Sequence, residues 1–287
     1  MIDTHAHLIA DDRQAYPPAP PGGTVKAEEL ENPMTAERLL GEMDRHGVLR
    51  AVLVQRASIY GFDNRYVCDS AARYPQRLAA VCAIDATAGD SVGVVRHWVR
   101  ERGAVGIRLM ELVKGSDLSW LDSASARGVW READALGVPV CVHFFPWNRT
   151  AGLAALKSIL TELPRLKVVV DHFSNMNVQA GPPDFGVDRL LTDVAQFEGV
   201  HVKFTTIPLG RLQAAGIDAA PIIARVTALF GAARIMWGSD ITQTPGTYAY
   251  MVDLGRKAVR LLDGATQQAL LAGTAQAIYG TRWTSAA

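Results

Sequence analysis

Cysteine is scarce. The 287 residues hold three, Cys68, Cys82 and Cys141, an odd number with no CxxC spacing. That excludes a disulfide framework and argues against a zinc knuckle. Cys82 and Cys141 lie inside apolar runs, where a buried free thiol is the expected state. A net charge of one sign is also missing, since Lys plus Arg and Asp plus Glu each number 29. There is no global basic field to collect nucleic acid or an anionic membrane, although a local basic pocket for a small anion stays open. No apolar stretch approaches the roughly 18 residues of a membrane-spanning helix. The opening Met1-Ile2-Asp3 shows neither the basic nor the apolar region of a signal peptide. No internal repeat, low-complexity tract or linker divides the chain. The expectation is one domain over residues 1–287, cytoplasmic, acting on a small-molecule substrate. Nucleic-acid and membrane partners are not expected, and a homo-oligomer is left open.

What the chain does have is apolar material, 49% hydrophobic against 20% charged, enough for a large core. Short β-branched runs recur at 1–7, 50–56, 79–84, 104–110, 138–144, 167–172, 200–206 and 234–239. Most are near-continuous Val, Ile and Leu rather than alternating, the pattern of strands buried on both faces of a parallel sheet. Helical periodicity fills the intervals at 35–46, 91–102, 123–136, 151–163, 187–197, 219–230, 248–262 and 267–279. The first is the clearest: Thr35 is placed to cap it, Leu39, Leu40 and Met43 form its stripe, and Gly47 stops it. Eight strands alternating with helices predict an α/β fold, a single (β/α)8 barrel. A doubly wound open sheet is the alternative, but no strand runs into a Gly-rich phosphate turn. The segment YPPAPPGG at 16–23 is expected to be a long first βα loop over the barrel mouth.

In such a barrel, chemistry gathers at the carboxyl ends of the strands. His5 and His7 are two apart on the first strand and so point the same way. Paired imidazoles there are metal ligands or a polarising pair for a substrate oxygen. His143 ends the fifth strand, Asp171-His172 the sixth, and Asp240 follows the eighth. A lone Asp240 could simply cap a helix, but its convergence with four strand-end histidines makes a site. His46, His97 and His201 do not share this placement and read as structural or surface residues. Arg108 stands in an apolar strand and needs an anionic partner. That partner is a substrate carboxylate, clamped together with Lys114, or an internal carboxylate such as Glu111 or Asp85. Ser58 and Tyr60 offer hydroxyls near the same rim, with Asp63 or Asn64 as helix caps. Lys203 is an inward-pointing substrate-binding candidate with a buried ion pair as its other reading. The loop 144–149 carries aromatics that could wall a pocket.

These residues carry a resemblance. DTHAHL on the first strand, single histidines on the fifth and sixth, and the aspartate of MWGSD on the eighth resemble the amidohydrolase superfamily. VLVQ, YGFDNRY, VVDHF and MWGSD are similar to its amidohydrolase-related lactonase branch, which includes 2-pyrone-4,6-dicarboxylate lactonase, 4-sulfomuconolactone hydrolase and sugar lactonases. The likeness runs from Asp3 to about Tyr279. It implies a distorted barrel and water attack on an ester carbonyl, with Asp240 as general base. His5, His7 and His172 would polarise the carbonyl, directly or through one divalent metal such as zinc on His5, His7 and Asp240. Arg108 and Lys114 correspond to a pair of arginines that takes substrate carboxylates in the pyrone-dicarboxylate enzyme. In zinc-containing sugar lactonases a glutamate falls near the position of Lys114, so the reading leans to no required cofactor. DHFSNMN departs from the DH-x-G-x-P form of the group. The expected function is a hydrolase opening a carboxylated or otherwise anionic lactone. The alternatives are a metal-dependent decarboxylase acting on an aromatic or muconate-like carboxylate, a TatD-like nuclease disfavoured by the zero net charge, and a non-catalytic ligand-binding barrel.

Overall fold

The computed structural model describes residues 1–115, 117–280 and 283. The elements run β1 (Ile2–Ala6), α1 (Ala27–Glu31), α2 (Ala36–His46), β2 (Arg50–Val54), α3 (Ala57–Tyr60), α4 (Arg65–Arg73), β3 (Leu78–Ala83), α5 (Ser91–Arg96) and β4 (Gly106–Met110). They continue with α6 (Ser119–Asp122), α7 (Ala124–Leu136), β5 (Val140–His143), α8 (Arg149–Glu162), β6 (Val168–Val170), α9 (Arg189–Ala195), β7 (Val200–Thr205) and α10 (Thr206–Ala214). The last are α11 (Ala220–Phe230), β8 (Ile235–Gly238), α12 (Tyr248–Ala258), α13 (Gly264–Gln268) and α14 (Thr274–Tyr279).

All eight strands form one sheet in sequence order, every neighbouring pair parallel. The ends meet where Thr4 Oγ1 donates to the Trp237 carbonyl at 2.6 Å and Asp240 N donates to the His5 carbonyl at 2.8 Å. This is the (β/α)8 barrel that the buried apolar runs predict. Gly238 makes the seam close: a Cβ there would come within 2.5 Å of the His5 Cβ. Among the described residues, no helix is long and apolar enough to cross a membrane.

The helices do as their patterns ask. In α2, the Thr35 side chain accepts from Arg38 N, and Gly47 adopts the left-handed conformation at the other end. The expected helix 91–102 is α5 continued by a π-helical turn, His97–Glu101. The expected helix 267–279 starts earlier and divides into α13, a π-helical turn and α14. The α10 helix lies outside the segments of helical periodicity and carries Pro208 and Gly210. Pro208 sits in its first turn, where a missing N–H costs nothing.

Side chains alternate along each strand. Ile107, Leu109, Val142, Val170, Val202 and Phe204 pack outward against the helices. Val52, Val54, Val81, Cys141, Val169 and Met236 fill the lower barrel, where Ile278 and Tyr279 of α14 pack on them. Arg108, His143, Asp171 and Lys203 alternate with the outward set and so form a polar layer above this plug. His5 and His7 alternate with the outward Ala6 and Leu8 and so point into that layer.

Candidate active site

The polar layer is built around Asp171, which is fully buried just past β6. Arg108 Nε donates to its Oδ2 at 2.9 Å, and its Oδ1 lies 3.2 Å from Lys203 Nζ and 3.3 Å from His5 Nδ1. Burial alone would raise the Asp171 carboxyl, but Lys203, His5 and Arg108 outweigh it and hold it well below the usual range. The internal partner of Arg108 is therefore Asp171, not Glu111 or Asp85. Sequence reading missed this because the partner lies 63 residues away on another strand.

Above that cluster, His5, His7 and Asp240 converge. His5 Nε2 is 3.6 Å and His7 Nε2 3.4 Å from Asp240 Oδ1. His7 Nδ1 donates to the Val54 carbonyl at 2.7 Å, which fixes its tautomer. Burial holds His7 below its ordinary pKa and His5 well below it, so both rings are neutral near pH 7. His7 thus turns a bare lone pair toward a carboxylate oxygen. His5 Nε2 and Asp240 Oδ1 are both buried without a hydrogen-bond partner. The His7 lone pair facing a carboxylate oxygen fits a cation between them. The set also has the spacing: ligands about 2.0–2.1 Å from a tetrahedral zinc lie roughly 3.4 Å apart. All three ligand atoms fall within 4.8 Å of one another. The residues present therefore fit a single divalent ion, with Asp171 behind His5 as the carboxylate that orients such a ligand.

A cleft of about 410 Å³ opens on this group, with His7, His172 and Asp240 on its floor and Arg108 and His143 at one side. His172 owes its aim to backbone strain: His172, Phe173, Ser174 and Asn175 all have φ between 51° and 53°. Left-handed non-glycine residues cost about 1–2 kcal/mol each. Three hydrogen bonds hold this turn. His172 Nδ1 meets Thr205 Oγ1 at 2.6 Å, Arg149 Nε donates to Ser174 Oγ at 3.1 Å, and Asn175 Nδ2 donates to the Phe144 carbonyl at 2.6 Å. Burial, with His5 adding to it, holds His172 well below its ordinary value. His143 falls to about 3 by burial and by the nearby Arg108. Arg108 Nη2, which can only donate, faces His143 Nδ1 at 3.5 Å, so His143 carries its proton on Nε2. That N–H is buried without a partner at the edge of the cleft.

The structure brings His7, His143, His172, Arg108, Asp240 and Ser58 into the cleft lining, with His5 fully buried behind them. Lys203 lies beneath, fully buried on Asp171, which is the ion-pair reading of that residue. Tyr60 is buried outside the lining and accepts from Ala10 N through its hydroxyl at 2.9 Å. Lys114 is exposed and also outside the lining, its ammonium 4.8 Å above the Trp147 ring. The expected Arg108/Lys114 clamp therefore does not assemble here, because Lys114 lies over the Trp147 ring and not in the cleft lining. The second cation that lines the cleft is Arg211, with Nη1 donating to Asn175 Oδ1 at 3.3 Å. It sits on the unexpected α10, so no strand-end signal could point to it. The aromatic loop does form a wall: Phe145 and Trp147 stack at 4.5 Å between centroids. Glu111 fixes it by accepting from Trp147 Nε1 at 2.6 Å and Asn148 Nδ2 at 2.7 Å.

With this arrangement in view, the family model described as amidohydrolase matches residues 2–281. The chain belongs to the amidohydrolase family. A curated relative of this amidohydrolase is the L-fucono-1,5-lactonase of Burkholderia ambifaria, 28% identical over 247 residues, 83% of this chain and 79% of that one. Among solved structures it is similar to a probable 2-pyrone-4,6-dicarboxylic acid hydrolase from Acinetobacter baumannii with citric acid bound. That likeness has a TM-score of 0.73 and 21% identity, covering 97% of this chain and 98% of that one. It is also similar to the 2,6-dihydroxybenzoate decarboxylase from Rhizobium, with a TM-score of 0.69, 17% identity and 98% of both chains covered. At these identities the two structures show that the amidohydrolase shares their fold.

Proposed function

We propose that this amidohydrolase opens a lactone, by attack of a water that Asp240 deprotonates. The observation that carries the reading is the convergence of the unpartnered Asp240 Oδ1 with His5 and His7 on the cleft floor, in a chain whose curated relative is a lactonase. An ion held by His5, His7 and Asp240 would supply Lewis acidity to the carbonyl and acidify water. The leaning to a metal-free site finds no support in this set of facing acceptors.

The protein's own groups account for the rest. Asp240 is itself left-handed, φ 60°, and Thr244 Oγ1 donates to its Oδ2 at 2.5 Å, so Oδ1 keeps its lone pairs, one to face an ion and one for the water proton. As the water oxygen bonds to the carbonyl carbon, charge develops on the carbonyl oxygen. The Nε2–H of His143 is a fixed donor for it, and His172 flanks the same space. Breaking the ring C–O bond leaves an oxygen that takes the proton back from Asp240. The product is a hydroxy acid, which ionises and releases one proton to solvent. Arg108 and Arg211 supply positive charge to the cleft, which favours a lactone bearing a carboxylate or another anionic group.

The test is proton release in weak buffer from carboxylated pyrones, muconolactones and sugar lactones, with Asp240→Asn as blank. The account expects turnover on at least one class, fastest where the ring carries an anion. Silence on every lactone, with carbon dioxide released from an aromatic or muconate-like carboxylate, would replace it with the decarboxylase.

A further inference from the structure

Residues 11–33 run between β1 and α2, and Pro21 brings this strap to the cleft wall. Its helix α1 buries no residue. Tyr16, Val25 and Leu30 lean on the buried Ile9, Ile59 and Tyr60, and Ala19 N donates to the Ile59 carbonyl at 2.8 Å. The strap also sends one charge inward. Glu29, on α1, accepts from Arg56 Nη2 at 3.2 Å.

Arg56 stands two residues beyond the end of β2 and is 1% exposed. The same Nη2 donates to the Thr242 carbonyl at 3.1 Å, while Nη1 donates to Ser58 Oγ at 2.6 Å. Thr242 stands two residues beyond Asp240 in the same turn, and both are left-handed, with φ 71° and 60°. One nitrogen therefore joins the strap to the strained turn that presents the base. A buried guanidinium is costly without an opposing charge. Its ion-pair partner here, Glu29, belongs to an exposed helix of the strap. When Glu29 is seated, Arg56 is held between the strap and Thr242. Without it, the guanidinium keeps Ser58, Thr242 and the nearby Asp240 charge but loses its ion pair to the strap.

We propose that Arg56 is a positioning residue that links the strap, through Glu29, to the orientation of Asp240, through Thr242. Seating of the strap over the cleft and alignment of the base are then set together. The proposal rests on the reading of Asp240 as the base of a lactonase.

The test is steady-state kinetics on L-fucono-1,5-lactone, or on whichever lactone of the panel wild type opens fastest, with Tm measured in parallel. Glu29 is half exposed, so Glu29→Gln is expected to fold normally. It should lower kcat about tenfold, as small misplacements of a catalytic group do, and change KM less. Glu29→Asp, which keeps the charge, should recover part of the rate. Arg56→Lys should lower kcat comparably, and the double variant should be no slower than the slower single one, because both break one linkage. The proposal is overturned if Glu29→Gln raises KM with kcat intact, which would make the strap a wall and nothing more. Unchanged kinetics, or losses that multiply in the double variant, also overturn it. A wild type that opens no lactone removes the lactonase reading and this proposal with it, whereas an active wild type with indifferent variants removes this proposal alone.

Discussion

Nε2 of His7 faces Oδ1 of Asp240 across 3.4 Å, with the imidazole proton on the far side of the ring, donated to Val54. Two acceptors at that separation need something positive or proton-donating between them, and a divalent ion fits. Protein stripped with a strong chelator and titrated with Zn²⁺ is expected to bind one ion per chain and to gain Tm by mass action. His7→Ala should lose both the bound ion and the Tm rise. Stripped protein that neither takes up zinc nor changes Tm would show that this set holds no metal.

Asp240→Asn removes the base and little volume. Turnover should fall by about a thousandfold or more, while the metal-stripped variant folds with a Tm near that of metal-stripped wild type. Near wild-type kcat in this variant would take the base away from Asp240.

Arg108 and Arg211 separate structure from recognition. Arg108 is buried against Asp171, so Arg108→Met should cost about 3–5 kcal/mol of stability, nearer the lower figure because Lys203 remains beside Asp171. Arg211 is exposed, and Arg211→Gln should change stability by less than about 0.5 kcal/mol. Its effect is expected in KM, up about tenfold for a carboxylated lactone and unchanged for a neutral one. Equal effects on both lactones would leave Arg211 without a role in recognising charge.

Stability should fall as pH drops below about 6.5. His201 is held down to about 4 by burial, chiefly, as it starts β7. At neutral pH the folded and unfolded chains both carry it uncharged. Below its ordinary value the unfolded chain takes up a proton that the folded chain refuses, so stability is lost between about 6.5 and 4 and levels off beneath. His143, held to about 3, extends the same loss further into acid. Measured as Tm against pH, His201→Asn should flatten the slope in the upper window. An identical slope in that variant would assign the acid sensitivity elsewhere.

Much of the barrel was legible because buried parallel strands write themselves as apolar runs, and because Thr35 and Gly47 are chemically specific stops. The strand-end histidines and Asp240 were legible for the same reason: a strand fixes which residues share its end. The Arg108–Asp171 pair was not, since its choice among carboxylates depends on how β4 and β6 register within the barrel. Arg211 and Arg56 escaped notice differently. One lies on a helix disguised by Pro208 and Gly210, and the other acts through a strap whose path no periodicity records. Lys114 shows the limit of spacing alone: six residues beyond Arg108, it turns out onto Trp147 instead of in.

In the proposed reaction, water adds to a lactone carbonyl under the control of Asp240. A single-turnover reaction in oxygen-18 water, followed by mass spectrometry of the product, tests it directly. The account predicts one heavy oxygen in the new carboxylate, formed by wild type and lost with Asp240→Asn. A product without the label, or one shorter by carbon dioxide, would contradict it.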